Sequence, residues 1–477
     1  MPSLLARYAA GILLILTVST AKAYEAEYYR AVSALADGRW VKVAVDTTGV
    51  YEISDSQLRE WGFADPAEVH VYGYGGVAAH EQHFDGTVPD ALPIAPSVRT
   101  TDGRLVFYAE GPVRAWFRSS SKELVDVQRN PYSRQAYYLL TDKDTNLKPK
   151  RQEYASRATD AVRWHYAIDL AENELTGFNG GSVFHGRPLS AGESETTKFR
   201  LRNPGWDNDE EPVVKYRVET AANTRQAMVF DLSFSDNVTV GAMTRPVCAA
   251  NTVTPILYTR GEGYAHLSLG DSDTRNIVVE GSAGVPASAS PSYAAVDRSY
   301  IIYPRRNIVE PDMSELMLNL VDISGGENIL IEGATATTCV WDVTNPTDVT
   351  ILGTSATDDG IEATLTPGQG IGRRLVAFDP SARHRQVSFA SEIAGQNLHG
   401  EATPDMLIIT TTTMLEAALE LADIHRADGL DVLVVTQEAA FNEFGAGTPT
   451  PAALRRMVKM FYDRNPEKLR YLLLYGP

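Results

Sequence analysis

Apolar residues recur at short, strand-like intervals over most of the chain, and the period changes near residue 400. WVKVAVDTTGVYEIS (40–54) reads as a strand, a tight turn at Thr47-Thr48-Gly49 and a second strand, a β-hairpin. Ser54-Asp55-Ser56-Gln57 places a hydroxyl three residues before an amide side chain. That is the capping-box spacing, and it predicts a short helix carrying Leu58 and Trp61. EVHVYGYGG, RLVFYAEG and QAYYLLTD add strands, so residues 24–150 are predicted to be a small β-rich domain. Over 151–395 the runs MVFDLSFS, NIVVEG, SYIIYP, ENILIEG, CVWDVTN and RRLVAFD are strand-length and separated by Gly, Pro, Asn and Asp. Many short strands between turn signals predict a β-sandwich-like region. GVPASASPS (284–292) reads as a loop.

Residues 396–477 follow another rule. DMLIIT (405–410), LDVLVV (430–435) and LRYLLLY (469–475) read as buried strands. Thr413-Met414-Leu415-Glu416 fits a second capping box, and Leu415, Ala418, Leu419 and Ala422 repeat at helical spacing up to a stop at Gly429. Thr450-Pro451 predicts an N-cap with proline at the first helical position, AALRRMVKMFYDR an amphipathic helix, and Asn465-Pro466 its end. Apolar strands alternating with helices predict a parallel sheet covered on both faces. In such sheets the site lies at the carboxyl edge of the strands. The sequence stops at that edge of the third strand, so the expected architecture is multidomain: β-rich, then sandwich-like, then the first half of an α/β domain.

Composition narrows the class. With 44% hydrophobic and 22% charged residues the chain is globular rather than disordered. Its 477 residues predict about two to four domains. A net charge of −18 argues against nucleic-acid binding, which leaves a basic footprint. Residues 1–23 combine a cationic start, a short apolar run and Ala21-Lys22-Ala23, the pattern of a cleaved export signal. A membrane anchor would need ~20 apolar residues. No later stretch is apolar enough to span a membrane as a helix, and no cysteine near the cleavage site suggests acylation.

Candidate chemistry is sparse. Cys248 and Cys339 are either two core thiols or an exported protein's disulfide. A nucleophilic thiolate needs a cationic neighbourhood and a base, and neither cysteine shows one in the sequence. WDNDEEP (206–212) and GDSD (270–273) are acidic turns without the spacing of a calcium cage. His70, His165, His384, His399 and His425 read as structural, and no Gly-x-Ser-x-Gly elbow occurs. No catalytic, cofactor-binding or metal-binding residue is assigned, and no cofactor.

QNLHG (396–400), PDMLIIT, LADIHRADGLDVLVVT, FNEFGAGTPTPAALRRMVKMFYDR and KLRYLLLYG together resemble the gingipain-type cysteine peptidases, most closely the sortases of the type IX secretion system. Upstream, GRWVKVAVDTTGVYEIS, VYGYGG, LVFYAEG, NPYSRQAYYLLTD and CVWDVTNPTDV are similar to the same sortases. The resemblance implies a caspase-like α/β domain behind β domains, with a Cys nucleophile and His base at the ends of later strands. It also implies removal of C-terminal signals from exported cargo and transfer of the cargo to lipopolysaccharide. The setting would be the outer-membrane surface, beside a β-barrel partner. His399 matches the family motif but not the catalytic position. The family continues past the third strand with Gly-Asp-Gly and more sheet, where this sequence has Gly476-Pro477. The resemblance therefore implies an incomplete, inactive fragment. The alternative is a non-enzymatic secreted β-domain protein that docks on an outer-membrane partner.

Overall fold

The computed structural model describes residues 26–76, 88–117, 125–157, 160–172, 175–176, 184–205, 213–223, 228–234, 239–244, 247–248, 257–268, 276–288, 293–321, 326–365 and 372–476. The predicted export signal and both acidic turns, 206–212 and 270–273, lie outside the described residues. The chain divides into two compact units. The larger takes Val41–Val77 and Pro93–Ser391, and the smaller takes the residues before Val41, Ala78–Leu92 and Glu392–Pro477.

In the larger unit both strands predicted at 40–54 form, but they do not make a hairpin. Trp40–Val45 pairs antiparallel with Ala136–Thr141, setting Val43 opposite Tyr138. Gly49–Ser54 pairs antiparallel with Arg104–Ala109, setting Tyr51 opposite Phe107. The reason is burial. Both strands are buried along nearly their whole length, so neither offers the solvent face a two-stranded ribbon would leave. Residues 46–48 instead carry the chain from one sheet to another. Val41, Val43 and Val45 from the first sheet meet Tyr51, Ile53, Leu105 and Phe107 from the second in one core.

The capping box at Ser54 forms as the spacing predicts. The Gln57 amide donates to Ser54 Oγ at 3.2 Å, and the Ser54 amide donates to Gln57 Oε1 at 2.9 Å. Helix Asp55–Glu60 then delivers Leu58 to the core. Replacing Ser54 with alanine removes the acceptor for the Gln57 amide and should cost about 1 kcal/mol. In urea this reads as a lower midpoint at unchanged slope, and an unmoved midpoint would show that solvent replaces the cap.

A ten-stranded sheet follows. It runs from Lys150–Gln152 through Thr350–Leu352, Cys339–Asp342, Arg373–Phe378, Glu315–Leu320, Trp164–Glu172, Tyr293–Arg306 and Val213–Asn223 to Leu257–Ser268 and Thr239–Thr244. Different sheets cover it along its length. Leu316, Leu318, Leu375 and Ala377 pack with Ile329, Ile331 and Ile361 of a three-stranded sheet. Their strand neighbours Val376 and Phe378 point the other way and join Trp341 against Val50, Val106 and Tyr108. Farther along, Ile301 and Tyr303 share a core with Phe199, Leu201, Ile277 and Val279 of a four-stranded sheet. The region is a set of stacked sheets, and the period-two alternation sends successive residues into different cores.

The smaller unit holds three parallel strands, Met406–Thr410, Val432–Thr436 and Tyr471–Tyr475, with the first in the middle. Alternation along the middle strand decides which helix meets which face. Met406 and Ile408 pack with Ala418 and Ala422 of helix Leu415–Ala427. Leu407 and Ile409 pack with Ala440 and Phe444 of helix Gln437–Phe444 and with Met457, Met460 and Phe461 of helix Pro451–Arg464. Tyr29 joins this second core from the far end of the sequence.

Gly429 follows the first helix at φ +90°, and Thr450 caps the third by accepting from the Ala452 amide. The capping box expected at Thr413 does not form. A 3-10 turn, Thr412–Met414, intervenes, and the N-cap falls on Met414 with no side-chain bond. The third strand was expected to be buried, but Leu472 and Leu474 are 49% and 65% exposed. The helices on that face cover the first two strands, and the Leu472–Leu474 row lies beyond them. Among the described residues no helix is long and apolar enough to cross a membrane.

Candidate functional site

The parallel register sets Thr410, Thr436 and Tyr475 level at the carboxyl edge of the three-stranded sheet. With strand order second-first-third, the chain leaves the middle strand toward one side and later returns on the other. Connections diverge at that point, and in open α/β sheets such a switch point is where a binding crevice forms, here outside the carboxyl ends of the first and third strands. Thr411 follows the first strand and Gly476 the third, close enough that a Cβ on Gly476 would sit 3.6 Å from Thr411 Cγ2. Thr411 and Thr413 share a hydroxyl–hydroxyl bond of 2.9 Å, and Thr412 Oγ1 donates to Glu438 Oε2 at 3.0 Å. Thr436 caps the next helix through the Ala439 amide. These residues supply hydroxyl donors and one carboxylate, which can position a polar substrate. They do not supply a thiolate or an imidazole.

A second cluster sits in the same unit around His399, which is 4% exposed on the 3-10 turn Leu398–Gly400. Both ring nitrogens are occupied. Nδ1 faces Glu443 Oε1, and Nε2 lies 3.1 Å from Asp90 Oδ1. Glu443 also accepts from the backbone amides of Leu398 at 3.0 Å and His399 at 2.7 Å. Asp90 accepts from the Arg30 amide at 2.8 Å, and Arg464 donates to the His399 carbonyl at 2.7 Å. The ring stacks on Phe444 with centroids 4.6 Å apart.

Burial pushes the imidazole pKa down, but the hydrogen bonds to Asp90 and Glu443 outweigh it and hold His399 above its ordinary value. Burial likewise raises the two carboxyls, and their bonds to His399 hold both below the usual range. With both ring nitrogens bonded to carboxylates, His399 has no free nitrogen to offer a substrate. The cluster ties the Leu398–Gly400 turn to the helix Gln437–Phe444. Sequence reasoning missed both of its acidic partners. Glu443 stands in an unremarkable helix, and Asp90 is 309 residues away.

The remaining candidates are dispersed. His165 is fully buried, bonds Asn307 Oδ1 through Nδ1 at 2.8 Å, and is pushed down to about 3, first by burial and then by Arg305. His384 lies below its ordinary value because it is buried, and its Nε2 meets the Asp379 carbonyl at 2.9 Å. His70 is half-buried opposite Thr141, and His425 is half-buried on the first helix of the smaller unit. Cys339 is a free thiol on strand Cys339–Asp342, pushed up to about 11 by burial and then by Asp379. That is the opposite of an activated nucleophile. Cys248 lies on the two-residue strand Val247–Cys248, in a different sheet. Among the described residues no group of three or more His, Cys, Asp or Glu could hold a metal ion.

Residues 399–477 match the model of Peptidase family C25. The chain is also similar to a solved protein, dimeric latent PorU from Porphyromonas gingivalis. The two share 26% identity at a TM-score of 0.76, over 94% of this chain and 42% of that one. The chain thus spans less than half the length of the protein it resembles. A second structure, infectious bursal disease virus Gx strain, aligns over 87% of this chain and 94% of its own at 9% identity, and at a TM-score of 0.18 it carries no argument. No curated protein matches the chain.

Proposed function

We propose that the chain is part of a gingipain-type cysteine peptidase of the PorU kind. In this reading it is exported to the outer-membrane surface, works beside a β-barrel partner, removes C-terminal secretion signals from type IX cargo and transfers the cargo to lipopolysaccharide. The observation that supports this is a likeness running through 94% of the chain at a TM-score of 0.76, with the peptidase-family match falling on the parallel sheet. The sheet's geometry fits the role. Acyl transfer needs a thiolate and an imidazole within ~3 Å of one reacting centre. A switch-point crevice is where groups from neighbouring strand ends converge.

The residues described here contribute the frame of that crevice. Thr410 to Thr413, Thr436 and Glu438 shape it, and the packed helices exclude water from both faces of the middle strand. The nucleophile and base are not assigned to any of these residues.

Deleting the gene in its source cell should leave exported cargo with uncut C-terminal signals and lost from the surface, and restoring the gene should reverse both effects. Normal processing in the deletion strain would instead favour the non-enzymatic docking reading. The purified 477-residue chain should show no turnover of a signal peptide, and Cys339 should resist a thiol probe until the protein unfolds. Turnover abolished by Cys339→Ala would place the chemistry elsewhere than the crevice.

A further inference from the structure

The larger unit contains a pocket of ≈490 Å³ that the peptidase reading does not use. That volume falls in the range of small-molecule sites, ~300–1,000 Å³. Its floor is one face of the ten-stranded sheet. Asn319 stands opposite Arg374 on one neighbouring strand and opposite Tyr166 on the other. Met317, two residues from Asn319, and Ile168 and Leu170, two and four from Tyr166, therefore point the same way. The facing wall comes from the antiparallel pair Val113–Phe117 and Val125–Arg129, in which Val113 sits opposite Arg129, and from the turns at Thr47 and Arg134.

The pocket's charge runs against that of the protein. In a chain of net −18, the described residues of its lining include three arginines, Arg129, Arg134 and Arg374, and one acid, Asp46, to which Gln135 Nε2 donates at 2.9 Å. Among the described residues Glu110 is the carboxylate that serves both the Arg374 guanidinium, at Nη1 2.7 Å away, and Arg114 Nε at 3.6 Å. One carboxylate between two buried cations leaves that wall with surplus positive charge, and Arg374 Nε has no hydrogen-bond partner. The nearby hydroxyls do not offset this. Thr48 Oγ1 donates to the Val113 carbonyl at 3.2 Å, and Ser133 Oγ donates to the Gln135 carbonyl at 2.7 Å.

We propose that this pocket binds a small amphipathic organic acid, with its anionic head toward the arginines and its apolar body on Ile168, Leu170 and Met317. Arginine suits an oxyanion head because its planar fork matches carboxylate or phosphate geometry. The apolar floor excludes a bare inorganic ion as the preferred ligand, since such an ion would leave that floor uncovered.

Calorimetric titration of the full 477-residue chain tests this with octanoate, octyl phosphate, octylamine and inorganic phosphate. Octanoate should bind, and octylamine, which has the same body and the opposite charge, should bind at least ~100-fold more weakly. Octanoate against octyl phosphate decides which head is preferred, and inorganic phosphate should be weaker than either. Arg134→Glu, at an exposed position, should weaken octanoate ~10-fold or more, the worth of one charge-assisted hydrogen bond. The proposal is overturned if octanoate gives no binding, if octylamine matches it, or if Arg134→Glu and the Arg129→Glu/Arg134→Glu double variant both leave its affinity unchanged. The octanoate–octylamine contrast is read on the unaltered chain and stands even if the double variant misfolds.

Discussion

Glu110→Gln should destabilise the larger unit by about 3–5 kcal/mol, the usual cost of breaking a buried ion pair from one side. Glu110 is 0% exposed. Its carboxylate takes the Arg374 guanidinium at 2.7 Å, faces Arg114 at 3.6 Å and accepts from the Tyr108 hydroxyl. Glutamine keeps the shape and removes the charge, leaving two guanidinium groups in the interior with no anion between them.

The pH dependence follows from the direction of the shift. Burial raises the Glu110 pKa, but Arg374 first and then Arg114 bring it below the ordinary value. A carboxyl depressed on folding adds stability that is fully present above its unfolded pKa, ~4.3, and is lost as pH falls through the folded value. Urea midpoints of wild type and variant should therefore differ most at neutral pH and converge in acid. Arg374→Met in the Glu110→Gln background should recover part of the loss. A neutral-pH midpoint that does not move would mean that solvent reaches the guanidinium groups.

His399→Ala should cost the smaller unit roughly 3 kcal/mol, because it strips two buried carboxylates of the cation they share. Here the linkage has two signs. His399 is raised on folding, so its contribution is complete below its unfolded pKa of ~6.5 and is lost as pH rises through the higher folded value. Asp90 and Glu443 are lowered, so theirs is complete above ~4 and is lost as pH falls through their folded values. The tie is fully made between those limits, near pH 5 to 6 on this reckoning. Hydrogen exchange of the Leu398–Gly400 turn and the Gln437–Phe444 helix should show the largest gap between wild type and variant in that window, narrowing on the alkaline side. Parallel curves from pH 5 to 9 would mean that His399 is held neutral.

Elements were legible in the sequence where local chemistry decides them, and partners were not. The middle parallel strand, the Gly429 stop and the Thr450-Pro451 start lie where period and capping residues put them. The Ser54 box formed even though the Ser56 hydroxyl lies 2.8 Å from Ser54 Oγ, because one oxygen can serve both that hydroxyl and the Gln57 amide. At Thr413 the same spacing failed. Thr411, Thr412 and Thr413 spend their hydroxyls on one another and on Glu438, so the turn tightens and the cap moves to Met414. The hairpin at 40–54 failed because turn residues report a change of direction and not the sheet to which the next strand belongs. Burial on both faces settled that, and strand length alone does not encode it. In the candidate site, the level row Thr410, Thr436 and Tyr475 follows from the strand pattern. The acids holding His399 come from 44 and 309 residues away, beyond any local signal.

The composition of the smaller unit from segments far apart in the sequence also sets when it can fold. Tyr29 donates to Asp463 across 434 residues, and the Ser33 amide donates to Asn397 across 364. Contacts of such span raise contact order, and contact order slows folding. The entropy of closing the span is itself modest, growing by only about 0.6 kcal/mol per doubling of length. Timing matters more. At roughly 5–20 residues per second of synthesis, Tyr29 waits about 20–90 s before Asp463 exists. The larger unit's strands can pair during that interval, while Tyr29 still has no helix to pack against. Of the two units the smaller is thus completed later, and a change near residue 29 should surface as a late defect on the helices that carry Phe444 and Phe461.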